Sequence, residues 1–195
     1  MRRVPLFFLL LLGACGYQWV PNIPDGQIPT VVIPYASGDD DGTFTAELIR
    51  TLTASGIANV QSAQATYRLK VDLVNGSNKT IGFRKNKQKV SGKISKNIVA
   101  TEGRRQLSAE VTLYKQGTDT IVKGPYLITA TADYDYIDGD SIQDLAFTNS
   151  QGVRTTALAF SLGQLEPIDS AQEAAGRPLH GRLAKKITDT IFSAL

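Results

Sequence analysis

Few side chains in this 195-residue chain can do covalent chemistry, and their setting narrows what that chemistry is. Cys15 is the only thiol and His180 the only histidine. Two small residues, Gly13 and Ala14, precede Cys15 and let the chain enter a peptidase cleft in extended form. The thiol is the one nucleophile nearby able to accept a thioether-linked diglyceride. His180 lies beside Arg177 and Arg182 with no acidic orienter close in sequence, so it reads as a satisfied or exposed helical histidine and not as a general base. No GxSxG, HExxH, P-loop or GxGxxG pattern occurs. Three adjacent carboxylates, Asp39 to Asp41, cannot all converge on one cation. Asp133 and Asp135 fall on the solvent face of a predicted strand, without the loop geometry a cation needs. The sequence therefore predicts no catalytic residue, no metal site and no cofactor.

The residues around Cys15 explain its chemistry. Arg2 and Arg3 form a positive start, and Leu6 to Leu12 is an apolar run shorter than the ~20 residues a membrane-spanning helix requires. Leu12-Gly13-Ala14-Cys15 resembles the lipobox of bacterial lipoproteins, which implies cleavage before an acylated Cys15. Residues 1–14 are then a signal peptide. Residues 15–29, with Pro21, Pro24 and Pro29, form a lipidated tether, and residues 30–195 form a single domain. Gly16 is not the Asp that would resemble an inner-membrane retention signal, which favours the periplasmic face of the outer membrane, with palmitate-type acyl chains as the anchor. Losing Arg2 and Arg3 lowers the 21 basic residues to 19 against 18 acidic ones, so part of the basic balance belongs to the signal. With Cys15 committed to lipid no disulfide is possible, and a chain 42% apolar must rely on an ordinary core.

A second group of residues could do noncovalent chemistry. Between Asp72 and Glu102 there is no acid, yet Lys79, Arg84, Lys85, Lys87, Lys89, Lys93 and Lys96 lie in that interval, and Arg104 and Arg105 follow. Acids collect at Asp39 to Asp41 and Asp133 to Asp144. Such segregation gives a field that attracts anions despite a near-neutral total. Export removes the chain from nucleic acid, and Phe83 is the only aromatic available for base stacking, so no nucleic-acid partner is predicted. A phosphate-bearing glycolipid fits the cations. A solvated loop whose lysines guard an edge strand fits them as well.

The elements that must position these groups follow from periodicity. Thr30 to Ala36 reads as a strand with Pro34 putting its end at a sheet edge or bulge. Phe44, Leu48 and Leu52 predict a helix over Thr43 to Ser55 with Gly56 as its stop, and the Asp triplet offsets the helix dipole. Alternation at Tyr67 to Leu73, Leu107 to Leu113 and Tyr126 to Tyr136 predicts three antiparallel strands with one dry face, the last two joined through Gln116 to Pro125. The basic interval projects between the first two as a long hairpin or loop. A short helix is expected near Ile142 to Phe147 and a strand within Val153 to Leu165. A final helix opens on a Ser170/Glu173 capping box, is kinked or split by Gly176 and Pro178, and buries Leu179, Leu183, Ile187 and Ile191. The predicted fold is an α+β two-layer sandwich, a mainly antiparallel sheet with two helices on one face.

The lipobox with Gly16-Tyr17, the strand TVVIPYA, the helix ending near Gly56, the strands YRLKVDLV, RRQLSAEVTLY and YLITATADYDY, and the terminal helix with Leu183-Ala184-Lys185-Lys186-Ile187 together resemble the lipopolysaccharide-assembly lipoprotein family (LptE). The resemblance implies a non-enzymatic plug and assembly partner of the outer-membrane β-barrel that inserts lipopolysaccharide. It also implies lipopolysaccharide binding through basic residues, placed here at Arg84, Lys85, Lys87, Lys89, Arg104 and Arg105. Residues 137–165 are longer than the passage the family suggests. The alternative is a periplasmic lipoprotein that scaffolds or activates a peptidoglycan enzyme.

Overall fold

The computed structural model describes residues 28–90, 93–136, 146–156 and 167–192. Cys15, the signal segment and the tether up to residue 27 lie outside the described residues, as do residues 137–145 and 157–166. The chain forms β1 (Thr30–Val32), α1 (Thr43–Ser55), β2 (Asn59–Val60), β3 (Tyr67–Val90), β4 (Lys93–Lys115), β5 (Ile121–Asp135), β6 (Ala146–Thr148), β7 (Arg154–Thr156), α2 (Ile168–Ala174) and α3 (Gly176–Phe192). Five strands make one sheet in the order β2-β1-β3-β4-β5, and β6 pairs with β7 in a separate hairpin. The fold is α+β, with the sheet mixed: β1 runs parallel to both β2 and β3, while β3, β4 and β5 form the expected antiparallel meander.

Several sequence expectations need correction. The first strand ends at Val32, because Pro34 has no N–H with which to continue a ladder. It is not an edge: the two-residue β2, absent from the pattern analysis, flanks it on one side and β3 on the other. Strand β5 starts at Ile121, so the turn is Gln116 to Thr120, and the Gly124-Pro125 pair is absorbed by register shifts opposite Val111 to Tyr114. Gly124 takes φ +97, and a Cβ there would come within 2.5 Å of the Val111 carbonyl oxygen, so only glycine fits. Ala146 and Phe147, expected in a short helix, lie in β6, and Arg154–Thr156 form β7. Leu158, Phe160 and Leu162, whose alternation suggested a strand, lie outside the described residues, as does the rest of the expected short helix. The Ser170/Glu173 capping box does not form, because the helix already begins at Ile168 with Pro167 at the cap, which places Ser170 inside it. The predicted split is present: α2 ends at Ala174 and α3 begins at Gly176, with Pro178 in the first turn, where a missing N–H costs nothing.

The core lies between one sheet face and the pair α1 and α3. Phe44, Leu48 and Leu52 from α1 meet Leu179, Leu183, Ile187 and Ile191 from α3 over Val31, Leu69, Val71, Val111 and Leu113. Ala109, Ala130 and Ala132 supply a shallow floor on β4 and β5, the strands against which α3 packs. Helix α1 matches its predicted bounds, and Gly56 closes it at φ 67 with its N–H on the Thr53 carbonyl. Its acids do more than offset a dipole. Buried Asp39 accepts the N–H of Phe44 and both the N–H and O–H of Thr45, while Asp41 accepts the N–H and O–H of Thr43.

The outer edge of β5 is sealed by α3. Arg182 Nη1 donates to the Thr131 carbonyl and Lys186 Nζ to the Thr129 carbonyl, each at 2.7 Å. Four helical residues rise ~6 Å and two strand residues ~6.8 Å, so cations one turn apart meet successive outward carbonyls. In return, Lys123 Nζ of β5 donates to the Ile191 carbonyl at 2.9 Å, supplying the positive charge that the last turn of α3 lacks.

Candidate functional site

The basic interval is a two-stranded β-ribbon. Strands β3 and β4 remain paired to Val90↔Lys93, whereas β5 ends opposite Glu102. Beyond that point no third strand joins them among the described residues. From Phe83 to Val90 the ribbon extends roughly 24 Å past the three-stranded region. Its base is marked by two register shifts, one around Ile81 and one around Thr101, and such bulges increase twist and re-aim a strand. Glu102, the acid that ends the acid-free interval, lies across Gly82 at this base. The expected long hairpin is therefore an extension of the sheet itself.

Register sorts the candidate residues. Arg84, Lys85, Lys87 and Lys89 all lie on the β3 arm, paired respectively with Val99, Ile98, Lys96 and Ile94 of β4. Arg104 and Arg105 sit below the base on opposite faces of β4. Arg104 forms a two-pronged pair with Asp133, Nε to Oδ1 at 2.6 Å and Nη2 to Oδ2 at 2.8 Å, on the solvent side. That hydrogen bond holds the Asp133 carboxyl below its ordinary pKa. Arg105 turns the other way and donates to the Gln172 carbonyl of α2 at 2.9 Å. The two arginines thus have internal partners, and the structure does not bring them together with the ribbon arm. Lys79, exposed and opposite Arg104, is a further base cation facing solvent.

Sequence reasoning missed a cleft of about 530 Å³ where α1, β4, α2 and α3 converge. Asp41, Glu47 and Glu173 line it together with Arg50, Arg105, Arg177 and His180. Three acids against three arginines leave no net formal charge there. Arg50 is already bound to Glu47, which lowers the Glu47 pKa. Nothing in the spacing along the chain could signal this cleft, because its lining comes from four separate elements. Among the described residues no group of three or more His, Cys, Asp or Glu could hold a metal ion, and no helix is long and apolar enough to cross a membrane.

His180 is half-buried at this cleft. Its ring stands edge-on to Phe44, with centroids 5.8 Å apart at 81°, and its Nδ1 lies 3.4 Å from Thr43 Oγ1. Burial lowers its pKa, and Arg105 adds to the effect, against the opposing pull of Asp39, Asp41 and Glu47. A histidine held below its unfolded pKa stabilises the fold above the unfolded value of ~6.5 and loses that contribution as pH falls toward the lower folded value. Denaturation from pH 8 to pH 5 should therefore show a fall in stability below about 6.5 that His180→Gln removes. Identical pH profiles for the two proteins would contradict this assignment.

A comparison with curated proteins gives no sequence match. Among solved structures, a minor lipoprotein from Acinetobacter baumannii aligns with 14% identity over 86% of this chain and 92% of its own, TM-score 0.45. The rare lipoprotein B from Shewanella oneidensis aligns with 14% identity over 84% and 94%, TM-score 0.42. A lipoprotein B from Nitrosomonas europaea aligns with 12% identity over 91% of each chain, TM-score 0.46. The family model described as LptE, lipopolysaccharide-assembly, matches residues 28–195, a span that runs from the residues just before β1 through the last helix. By that match the chain belongs to the LptE lipopolysaccharide-assembly family.

Proposed function

We propose that this protein is an outer-membrane lipoprotein, held at the periplasmic face by acylated Cys15, which plugs and assists assembly of the β-barrel that inserts lipopolysaccharide. It contacts lipopolysaccharide through the basic ribbon, with Arg84, Lys85, Lys87 and Lys89 on the arm and Arg104 and Arg105 bracing its base. The observation that carries this reading is an acid-free, lysine-rich ribbon projecting from the sheet of a member of a lipopolysaccharide-assembly family. Its role is recognition and assembly, not catalysis.

The test is affinity capture of the full lipidated chain from detergent-solubilised membranes. A large β-barrel protein should co-purify, and Cys15→Ser should free the chain from the membrane fraction. Recovery of no barrel, or of peptidoglycan synthases with no affinity for lipopolysaccharide, would overturn this reading, the latter in favour of a cell-wall scaffold.

A further inference from the structure

The seal along the edge of β5 stops short, and the gap it leaves has a defined shape. Arg182 and Lys186 mark the carbonyls of Thr131 and Thr129 as facing outward from β5. In an antiparallel strand a residue presents its N–H and C=O to the same side, and every second residue repeats this, so Leu127 and Pro125 face outward too. Pro125 loses no ladder bond by this, because its missing N–H falls on the edge and not toward β4. One turn beyond Lys186 the helix carries Thr190 in place of a third cation, and among the described residues no side chain donates to the Leu127 carbonyl. A groove of about 430 Å³ opens here, lined by residues 126–129 of β5 and by Lys186, Asp189 and Thr190 of α3. Both of its charges are engaged, Lys186 by the Thr129 carbonyl and Asp189 by Lys185 at 3.3 Å, so the groove suits a neutral backbone better than an ion. Leu127 stands at its rim, 70% exposed.

We propose that residues 125–129 of β5 form a self-association site, at which a second copy of this chain pairs antiparallel about a two-fold axis at Leu127. The Leu127 N–H of each copy donates to the Leu127 carbonyl of the other, and the Thr129 N–H of each donates to the Pro125 carbonyl of the other. The groups left over match. Pro125 has no N–H to give, and the Thr129 carbonyl it would meet already accepts Lys186. A general extended peptide would bring an N–H to that occupied carbonyl and bury it without a partner. The edge therefore selects a strand with proline two residues before the residue opposite Leu127, and Pro125-Tyr126-Leu127 of the chain itself meets that requirement. The two exposed Leu127 side chains then cover each other across the axis. The register shift opposite Val111 to Leu113 bends the strand beyond Gly124, which confines the pairing to this stretch. So short an interface is weak alone, and anchoring both copies in one membrane leaflet raises their effective concentration. Apart from that anchor, the inference does not rest on the function proposed above.

Cross-linking and sedimentation of the full lipidated chain test this. Leu127→Cys adds one thiol besides the acylated Cys15, and across the axis the two Cα atoms stand about 5.5 Å apart, within disulfide range. Oxidation of intact membranes with copper phenanthroline should convert this variant into a product of twice the chain mass. Ile121→Cys, 50% exposed on the same strand, should stay single, because its counterpart lies roughly 40 Å away. In density-matched detergent the wild-type chain should sediment as a reversible dimer. Leu127→Lys, which sets like charges against each other at an exposed position, should weaken that dimer about tenfold. Equal cross-linking at positions 121 and 127, or a dimer unchanged by Leu127→Lys, would overturn the assignment to this edge. A cross-linked product containing a different protein would overturn the second copy as its occupant. A wild-type chain that stays monomeric, with no disulfide from Leu127→Cys, would overturn the proposal outright and leave the assembly function untouched.

Discussion

Phe44→Ala should lower the unfolding free energy by about 4 kcal/mol, read as a drop in the urea midpoint with an unchanged m-value. Phe44 is fully buried at the start of α1, where the helix meets α3 and where its ring takes His180 edge-on. Truncation removes the transfer free energy of an aromatic ring. It also opens a cavity between two helices that cannot freely close in, because α3 is held by β4 and β5 while α1 is held by β2. Phe44→Leu, which refills most of that volume, should cost less than half as much. A loss below about 1 kcal/mol for the alanine variant would show that the helix pair can collapse onto the gap and is more loosely seated than the packing implies.

Asp39→Ala should cost about 3 kcal/mol, the second largest single effect expected. Its carboxylate is 4% exposed and accepts three hydrogen bonds, from Phe44 N–H at 3.2 Å, Thr45 N–H at 2.7 Å and Thr45 Oγ1 at 2.6 Å. Thr45 Oγ1 accepts in turn from the N–H of Ala36 at 3.1 Å, so one carboxylate links the chain leaving β1 to the first turn of α1. Alanine would leave the buried donors of Phe44 and Thr45 without a partner and free the Thr45 hydroxyl from its orientation, which is why the loss exceeds that of an ordinary exposed helix cap. Asp39→Asn keeps one acceptor oxygen and should recover roughly half of it. Thermal unfolding of the three proteins decides the point, and an Asp39→Ala variant as stable as wild type would exclude the network from any structural role.

Local pattern was a sound guide wherever one element decided its own state. The stripe Phe44, Leu48, Leu52 with Gly56 specifies α1 to the residue, since 3.6-residue periodicity and a left-handed stop are both local properties. The dry faces of β3, β4 and β5 follow their alternation for the same reason, except at Tyr126, which is exposed. Expectations failed where a neighbour in space decided. Asn59–Val60 is too short to show any period and is a strand only because the Pro29 and Val31 carbonyls accept the N–H groups of Asn59 and Gln61. The Ser170/Glu173 signature was displaced by the helix start that Pro167 imposes upstream. Arg104 and Arg105 looked alike as neighbours in a basic interval, yet strand alternation sends one to Asp133 and the other to α2.

By itself the sequence determined the family's element order, the core stripes of both long helices, the acid-free interval and a lone cysteine set behind an apolar run. Each is a matter of composition or short-range spacing. Only the tertiary structure decided that the interval is a register-locked, two-stranded extension of the sheet. Register depends on which β4 residue stands opposite each β3 residue, a long-range pairing that no local period in so polar a stretch specifies. Only the tertiary structure also turned Arg182 and Lys186 from surface charges into the seal of an open sheet edge, because that role exists only once a helix lies alongside the strand whose carbonyls it covers.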